Sequence, residues 1–512
     1  MATQWQTFPI EFRGGLISNL SPLQQGSNAV GSATILQNFE SSKEGGYSKI
    51  KGFEKFSTTA VPGSGPILAL KVISSGRIVV ARQNGSNVTE YYYGTGTTWT
   101  SMGARPLLGG KAKHVLYNLD GDDKVIFVDS NNYPATYNTS GNTLTAITGS
   151  TDVLGAENVA VFKDTAFYAK GNNLYFTAPF TVDDFSAANG AGSINVANEI
   201  TGLAVFRDQL IVFTTDSIKR ITGNTAADFL VSPITDRIGC VNGDTIQEVG
   251  GDIMYLAPDG IRLLSATDRI GDFGLDIASD PIAKDATTFL GSTPNFCSVL
   301  MREKAQYRIF AYIESEQHEA AKGLIATKFV SQGASGISWS TTKGIKAHVA
   351  DSKYSGTAET IAFANTDGYV YELDTGSSFD GLPIEAIYES PYMPLSDPQV
   401  RKSFYKMTLY AEPTGSMSLD INVKYDFGSS TNTGVIQPAT QSVESTGTSV
   451  FIFGESNSVF NTSTYGGELD KIYNTNIIGS GKTIALRIED NSINPTFTLD
   501  TALLEFRQND RQ

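Results

Sequence analysis

Apolar residues along this chain fall in short segments that Gly, Asn and Asp interrupt every few positions. Within the segments the apolar positions alternate or form brief runs, which is typical of β-strands. Helical periodicity is almost absent, and the best helical candidate, the charged stretch 314–322, is predicted to be a short helix within a loop. The pattern therefore predicts an all-β protein.

A unit of apolar strand, turn and second strand recurs along the first two thirds of the chain. The pentapeptide AVFKD at 160–164 returns as AVFRD at 204–208, a spacing of 44 residues. Similar units are divided by turn residues that follow one another at steps of 40 to 47 residues, namely Asn84, Asn131, Gly171, Asp216 and Asp259. The next turn residue, Asp367, comes 108 residues later, and the gap holds one further strand pair, YRIFAYIE and GLIATKF.

The length of this repeat matches the blade of a β-propeller. A four-stranded blade takes about 40–45 residues, so these units predict a propeller of six or seven blades over residues 61–385. Radial stacking would bury both faces of each sheet and leave only short edges. A large β-sandwich is the alternative interpretation, and the regular period speaks against it.

From about residue 385 the segments lengthen and the repeat disappears. Long strands are predicted at 401–413 and 418–428, and closing strands at 483–490 and 496–507. We interpret residues 386–512 as a second, C-terminal β domain resembling a sandwich. Residues 1–60 also consist of strand and loop, and the sequence leaves open whether they pack on this domain or close the propeller.

The charge balance changes the expected partners. A formal net charge of −15 argues against a protein that grips nucleic acid, because such proteins present basic surfaces. Two interpretations stay open: solubility, and an acidic lining that keeps passing DNA from sticking. Two cysteines, Cys240 and Cys297, are too few for a disulfide framework and are predicted to be buried free thiols. Neither a signal-peptide pattern nor an apolar run long enough for a membrane span is expected.

Motifs that carry chemistry are weak in this sequence. GSGKT at 479–483 lacks the first Gly of a phosphate-binding loop, since that position is Asn476, and a hairpin turn is predicted instead. LDGDDK at 119–124 lacks the ligand spacing of a calcium loop and is interpreted as a solvated turn. His114, His318 and His348 have no Cys or His at metal spacing. We therefore predict no catalytic residue, metal or cofactor.

Residues 38–56, NFESSKEGGYSKIKGFEKF, carry a distinctive motif formed by Gly45, Gly46, Tyr47, Gly52 and Phe53. The glycines are expected to permit sharp turns. This pattern resembles the tail nozzle proteins of podoviruses, the short-tailed bacteriophages, a family also called tail tubular or packaged-DNA stabilisation proteins. Other segments that are similar to these proteins are 201–223, 236–267, 401–428 and 501–512.

The resemblance implies a structural protein of the virion and not an enzyme. It implies a homo-oligomeric ring, generally a hexamer, at the tail tip, made in the cytoplasm of the host bacterium. The expected contacts are an adaptor or portal-side tail protein, tail fibres or spikes, and double-stranded DNA in transient passage without specific binding. Such a ring would retain packaged DNA and conduct it out during ejection.

Two sets of residues follow as candidates for this assembly. The Ser/Thr/Gly-rich stretch 429–449 and the segment 454–467 are candidates for loops that close the channel, with contacts to neighbouring subunits or fibres as the alternative. Lys49, Lys51 and Lys55 are predicted to pair with acidic groups of a neighbouring subunit.

Two other classes of protein stay open. A receptor- or carbohydrate-binding propeller of a phage tail, with or without hydrolysis, would bind or release sugars and would not form rings. A generic propeller scaffold would lack the long C-terminal β domain.

Overall fold

The computed structural model describes residues 5–42, 45–265, 277–292, 295–313, 317–331, 334–428, 437–445 and 471–509. Strands dominate these residues, and the all-β class predicted from the sequence is confirmed. Of the stretch 314–322, the described part contains a single 3₁₀ turn, His318–Ala320.

The first 60 residues form short strands and one helix. They are β1 (Gln6–Glu11), α1 (Pro22–Asn28), β2 (Ile35–Gln37), β3 (Phe39–Ser41), β4 (Tyr47–Lys49) and β5 (Phe53–Lys55). The apolar periodicity did not predict helix α1. The Ser21 hydroxyl caps this helix by accepting from the backbone N–H of Gln24, and Pro22 is the first residue of the helix. Ser before Pro is a helix-start signal that does not need an apolar stripe.

Seven successive sheets then follow in the described residues, and we number them 1 to 7. Sheets 1 to 4 are four-stranded and antiparallel, with strands in chain order. Their strands are β6 (Ser64–Ser74), β7 (Arg77–Gln83), β8 (Thr89–Gly94) and β9 (Trp99–Ala104); β10 (Lys113–Tyr117), β11 (Lys124–Val128), β12 (Ala135–Asn138) and β13 (Thr143–Ala146); β14 (Asn158–Phe162), β15 (Thr165–Lys170), β16 (Asn173–Phe176) and β17 (Gly192–Asn195); β18 (Ile200–Phe206), β19 (Gln209–Thr214), β20 (Ile218–Thr222) and β21 (Leu230–Thr235).

Sheets 5 to 7 depart from this plan. Sheet 5 has three described strands, sheet 6 extends into the C-terminal region, and sheet 7 takes its fourth strand, β5, from the N-terminal segment. Their elements are β22 (Gln247–Val249), β23 (Asp252–Ala257) and β24 (Gly260–Leu263); the helix α2 (Ala283–Ser292); β25 (Asn295–Met301), β26 (Gln306–Tyr312), β27 (Lys322–Ser331) and β28 (Ala334–Lys343); β29 (Val349–Ser355), β30 (Ala358–Ala364) and β31 (Val370–Leu373).

The turn residues identified from the sequence occupy equivalent places. Asn84, Asn131, Gly171, Asp216, Asp259 and Asp367 each lie between the second and third strand of a sheet. The strand pair predicted in the long gap is also confirmed, since β26 and β27 pair antiparallel. The repeated pentapeptides form the preceding turns, between the first and second strands of sheets 3 and 4.

Those two pentapeptide turns have the backbone of type I′ hairpins. Lys163 and Asp164 have φ of 49° and 57°, and Arg207 and Asp208 have φ of 47° and 63°. Positive φ at both central residues matches the twist of the flanking strands. The turns also interlock, because the Lys163 ammonium lies 2.6 Å from the Asp208 carboxylate of the next sheet.

Each sheet shares a hydrophobic cluster with the next. Val79 and Val125 belong to one cluster of sheets 1 and 2, and equivalent clusters join sheets 2 to 3, 3 to 4, 4 to 5, 5 to 6 and 6 to 7. A further cluster contains Leu70 of sheet 1 and Val349 of sheet 7. Sheets 1 and 7 therefore also pack against each other.

The C-terminal strands form two sheets over one core. They are β32 (Ile384–Glu389), β33 (Lys402–Pro413), β34 (Ser418–Tyr425), β35 (Gln441–Glu444), β36 (Ile472–Gly481), β37 (Ile484–Ser492) and β38 (Phe497–Gln508). One sheet has the order β3-β4-β38-β33-β36, with β1 on β38; the other continues sheet 6 through β2 as β32-β37-β34-β35. All four strands predicted beyond residue 400 are confirmed. A bulge after Phe404 explains why the next inward residue is Met407 and not residue 406.

The N-terminal segment contributes strands both to the C-terminal sheets and to sheet 7. Strands β1, β3 and β4 pair within the C-terminal sheets, and β2 links sheet 6 to β32. Strand β5 instead pairs with β31 and completes sheet 7.

Candidate functional site

The Gly-Gly-Tyr part of the motif lies at the β3–β4 hairpin. Gly45 and Gly46 have φ of 107° and 80°, which favour glycine, and a Cβ on Gly46 would lie 2.4 Å from the carbonyl oxygen of Leu499. Tyr47 is fully buried; its hydroxyl donates to the carbonyl of Gly31 and accepts from the N–H of Gly15. These three residues therefore hold the β3–β4 hairpin in place against the C-terminal sheets.

The Gly52-Phe53 part of the motif lies where the chain leaves β4 and enters sheet 7. The Phe53 N–H donates to the carbonyl of Ser378 at 3.1 Å, and its ring stacks on Phe379 with centroids 5.0 Å apart. A Cβ on Gly52 would lie only 1.8 Å from the Ser378 carbonyl oxygen. The motif thus connects the C-terminal sheets to strand β5 of sheet 7.

Substituting Gly52 with Ala is expected to lower the free energy of unfolding by about 1–3 kcal/mol, because the added methyl meets backbone that cannot move aside cheaply. Urea titration of both proteins measures the loss. Gly76→Ala is the matched control, since Gly76 has ordinary φ and open space around it; its change should stay within about 0.5 kcal/mol. Equal effects of the two substitutions would contradict the close approach at Gly52.

Two of the three lysines near the motif, Lys49 and Lys55, have partners within the chain. The Lys49 ammonium is fully buried, 2.7 Å from the Asp490 carboxylate. Lys55 lies 2.8 Å from Asp380. The prediction that Lys49 pairs with a neighbouring subunit is wrong, because strand β4 carries its side chain into the interior; Lys51 is exposed.

A polar cavity of about 250 Å³ lies where the first strands of the seven sheets converge. We call it the axial cavity. It is lined by Leu70, Lys111–His114, Asn158, Val159, Gly202, Leu203, Gly243, Asp244, Ile246, Gln247, Cys297, Ser298 and Val349–Asp351. Every one of the seven sheets, or the segment leading into it, contributes to this wall.

Ion pairs cross the axial cavity. The Asp244 carboxylate, just before sheet 5, contacts the ammonium groups of Lys113, the first residue of β10, and of Lys111. The distance from the Lys111 Nζ to Asp244 is 2.8 Å. Asp351 of sheet 7 lies 3.0 Å from Lys71 of sheet 1 and 3.5 Å from His114 of sheet 2. These charged groups were missed from the sequence, although Lys71 interrupts the apolar strand ILALKVIS and so carried a signal.

The environment of the axial cavity shifts several pKa values. Burial raises the pKa of Asp351, but the Lys71 charge and the hydrogen bonds to Asp351 outweigh it, so the pKa of this carboxyl lies well below its usual range. Burial and the charge of Lys71 lower the pKa of His114. Burial and the charge of Lys111 lower the pKa of Lys113 to about 7, while the Asp244 contact favours the charged form.

His348 lies where sheet 7 meets sheet 1. Its Nδ1 bonds the Ile67 carbonyl oxygen at 2.7 Å, so the ring is assigned the neutral Nδ1–H tautomer. Burial, and then the charge of Lys111, lower the pKa of His348 to about 4. Protonation therefore favours the unfolded chain below the ordinary histidine pKa.

Acid is expected to weaken the contact between sheets 1 and 7. Because the folded pKa of His348 lies below the unfolded value of 6.5, stability is lost as the pH falls from about 6.5 to about 4, by on the order of 3 kcal/mol. Urea titrations at pH 7 and at pH 4.5 measure the slope, and His348→Gln should flatten it. A variant with the wild-type slope would show that other groups cause the acid sensitivity.

A second cavity, of about 460 Å³, lies between sheets 6 and 7 and the C-terminal sheets. We call it the junction cavity. Phe53, Tyr371 and Phe379 form an aromatic wall, and the Lys343–Glu385 ion pair of 2.9 Å lies at its edge. A cavity with one aromatic wall and a few polar groups is suited to a small organic ligand.

The two motifs rejected from the sequence are both turns. GSGKT joins β36 to β37, and Asp426 accepts from the N–H of Lys482 and of Thr483 there. It is not the predicted hairpin, because β36 and β37 belong to different sheets. LDGDDK is the turn between β10 and β11, as predicted, with Lys124 paired to Asp120.

The histidines lie at separate sites. His114 lines the axial cavity, His318 the junction cavity, and His348 the contact of sheets 7 and 1. Within the described residues no group of three or more His, Cys, Asp or Glu side chains could hold a metal ion. Cys240 and Cys297 are buried free thiols, as predicted, and burial raises the pKa of both.

Most of the predicted gate loops lie outside the described residues. Of the stretch 429–449, only 437–445 is described, and it contains β35; the segment 454–467 lies wholly outside.

Comparisons with known proteins give no family for this chain. No protein-family model matches it, and no curated protein matches it. Among solved structures, PorZ, a surface component of the type-IX secretion system of Porphyromonas gingivalis, matches with a TM-score of 0.37 and 11% identity over 67% of this chain. The extracellular domain of a hybrid two-component system of B. thetaiotaomicron matches with a TM-score of 0.37 and 10% identity over 69% of this chain. The chain spans 43% of the length of each of these proteins.

No helix in the described part of the chain is long and apolar enough to cross a membrane.

Proposed function

We propose that this chain is a structural subunit of a short bacteriophage tail, forming a ring-shaped nozzle that retains packaged DNA and conducts it out at ejection. The observation that carries the proposal is the motif at 38–56, which resembles podovirus nozzle proteins and runs from the C-terminal sheets into sheet 7. No catalytic role is part of the proposal. Its partners would be further copies of the chain, an adaptor or portal-side protein, and tail fibres or spikes.

The proposal includes a seven-bladed propeller formed by sheets 1 to 7. The cyclic order of shared hydrophobic clusters supports this arrangement. The pairing of β5 with β31 supports it as well, because a strand from the start of the chain completes the last blade and so ties the ring shut. Full closure is one way in which all-β folds protect their sheet edges.

The DNA channel would lie between copies of the chain. The axial cavity of about 250 Å³ is crossed by ion pairs and is far too small for a duplex. A ring of several copies, generally a hexamer in the family that the motif resembles, would leave a wider hole. The propeller would then serve as a rigid building block.

The overall charge of the chain supports a lumen that repels DNA. Since duplex DNA carries about one negative charge per 1.7 Å of its axis, an acidic wall would keep it from adhering. The net charge of −15 agrees with this role.

Electron microscopy of the purified chain, alone and with the adaptor of its tail, tests the proposal. Rings of about six copies with a hole of duplex width are expected. Particles that stay single at every concentration and do not join the adaptor would overturn the nozzle. Native mass spectrometry counts the copies independently.

A carbohydrate-binding propeller of the tail is the second candidate, and the aromatic wall of the junction cavity favours it. Stacking of a sugar face on Phe379 would be its central contact. Binding of host surface polysaccharide by single particles, lost in Phe379→Ala, would favour this function over the nozzle.

A further inference from the structure

The axial cavity holds more positive than negative charge. Lys111 and Lys113 share one carboxylate, Asp244, so when both lysines are protonated one ammonium group lacks a counter-charge among the described residues. Lys71 and Asp351 neutralise each other. The Cys297 thiol cannot supply the missing charge, because burial raises its pKa and keeps it neutral. An excess cation in a partly buried site is costly unless something pairs with it.

A neutral donor faces the same space without a partner. Asn158 is 7% exposed and lines the axial cavity, yet its side-chain amide has no hydrogen bond to the described residues. Buried amides are nearly always hydrogen-bonded, to protein or to water, so this amide is available to a molecule bound in the cavity. Among the described residues, the Lys113 ammonium contacts one acceptor group, the Asp244 carboxylate, and the Lys111 ammonium contacts two, Asp244 and the carbonyl of Phe296.

We propose that the axial cavity binds a small oxyanion of the size of inorganic phosphate, held by Lys111, Lys113 and the Asn158 amide. The proposal is independent of the nozzle function. A tetrahedral oxyanion accepts several hydrogen bonds at once and supplies the missing negative charge. The volume of about 250 Å³ admits such an ion with some water and excludes a duplex. The ion would also bridge sheets 2 and 3 at the axis.

Isothermal titration of the full chain with inorganic phosphate, at constant ionic strength, tests the site. Saturable binding is expected, and the melting temperature should rise with phosphate concentration. Lys113→Met should weaken binding at least about tenfold, since it removes a charge-assisted hydrogen bond. Asn158→Ala should weaken binding by a smaller factor and serves as a second variant if Lys113→Met fails to fold. Lys124→Met is the control, because Lys124 belongs to the same sheet but pairs with Asp120 at the surface.

A wild-type chain that binds no phosphate would overturn the proposal, and so would wild-type affinity in both Lys113→Met and Asn158→Ala. Without phosphate, Lys113→Met should melt no lower than the wild type, because it relieves an uncompensated charge. A lower melting temperature together with no phosphate binding by the wild type would assign Lys113 to structure alone. Titration with a 5′-phosphorylated dinucleotide distinguishes two sources of the bound phosphate group. An affinity equal to that of inorganic phosphate indicates the end of a nucleic acid, and an affinity at least about tenfold weaker indicates a free oxyanion.

Discussion

Lys49→Met is expected to lower the free energy of unfolding by about 3–5 kcal/mol, because it leaves a buried carboxylate without its partner. Asp490 has a side chain that is 1% exposed, and its Oδ1 has no hydrogen-bond partner in the described part of the chain. The lost ammonium also donated to the carbonyls of Ser492 and Asn494. Burial lowers the pKa of Lys49, and the Asp490 charge opposes that shift.

Urea titration of Lys49→Met measures this loss, and two further variants define its cause. Lys51→Met is the matched control, because Lys51 is exposed two residues away, and its change should stay within about 0.5 kcal/mol. Adding Asp490→Leu to Lys49→Met should restore part of the stability, since an apolar pair avoids the unpaired charge. A double variant less stable than Lys49→Met would show that the loss comes from packing.

Glu40→Ala is the second large effect, expected to cost about 3–5 kcal/mol. The Glu40 carboxylate, on β3, contacts Arg308 and Lys304 at 2.7 Å each and accepts from Gln306. Arg308 is fully buried and cannot lose its charge, so removal of Glu40 leaves a guanidinium without a carboxylate partner among the described residues. The cluster joins the N-terminal segment to sheet 6. Its loss should therefore weaken the packing of this segment against the sheet.

Glu385→Ala is the control for Glu40→Ala, because Glu385 forms a half-exposed pair with Lys343 that is worth at most about 1 kcal/mol.

The contacts of Glu40 with Lys304 and Arg308 also predict a dependence of stability on pH. Burial raises the pKa of Glu40, but the charges of Lys304 and Arg308 together lower it by more. The pKa of Glu40 in the folded chain therefore lies below 4.5. Its contribution is therefore present above pH 4.5 and lost as the pH falls through the folded pKa. Urea titrations at pH 7 and at pH 3.5 should show a smaller pH effect in Glu40→Gln than in the wild type; equal effects would contradict this.

Local chemistry made the strands of this chain predictable. A hairpin turn depends on a few consecutive residues, so turn residues such as Asn84 and Asp259 identified the middle of each sheet, and the pentapeptides identified the first turns of sheets 3 and 4. The same is true of the alternation along β34. The motif residues Gly46 and Gly52 were also found, although the sequence indicated only turns. Both positions require glycine because the backbone of Leu499 approaches Gly46 and that of Ser378 approaches Gly52, each from hundreds of residues away in the sequence.

The sequence by itself therefore determined the all-β class, the repeat and the position of most turns, because these depend on neighbouring residues. Only the tertiary structure decided which sheet receives β5, where Lys49 and Glu40 find their partners, and that Lys113 and Asp244 meet in the axial cavity. Lys49 and Asp490 lie 441 residues apart, and Lys113 and Asp244 lie 131 apart. A charge on a strand looks the same in sequence whether it faces water or a distant carboxylate, since its partner is brought there only by the packing of whole sheets.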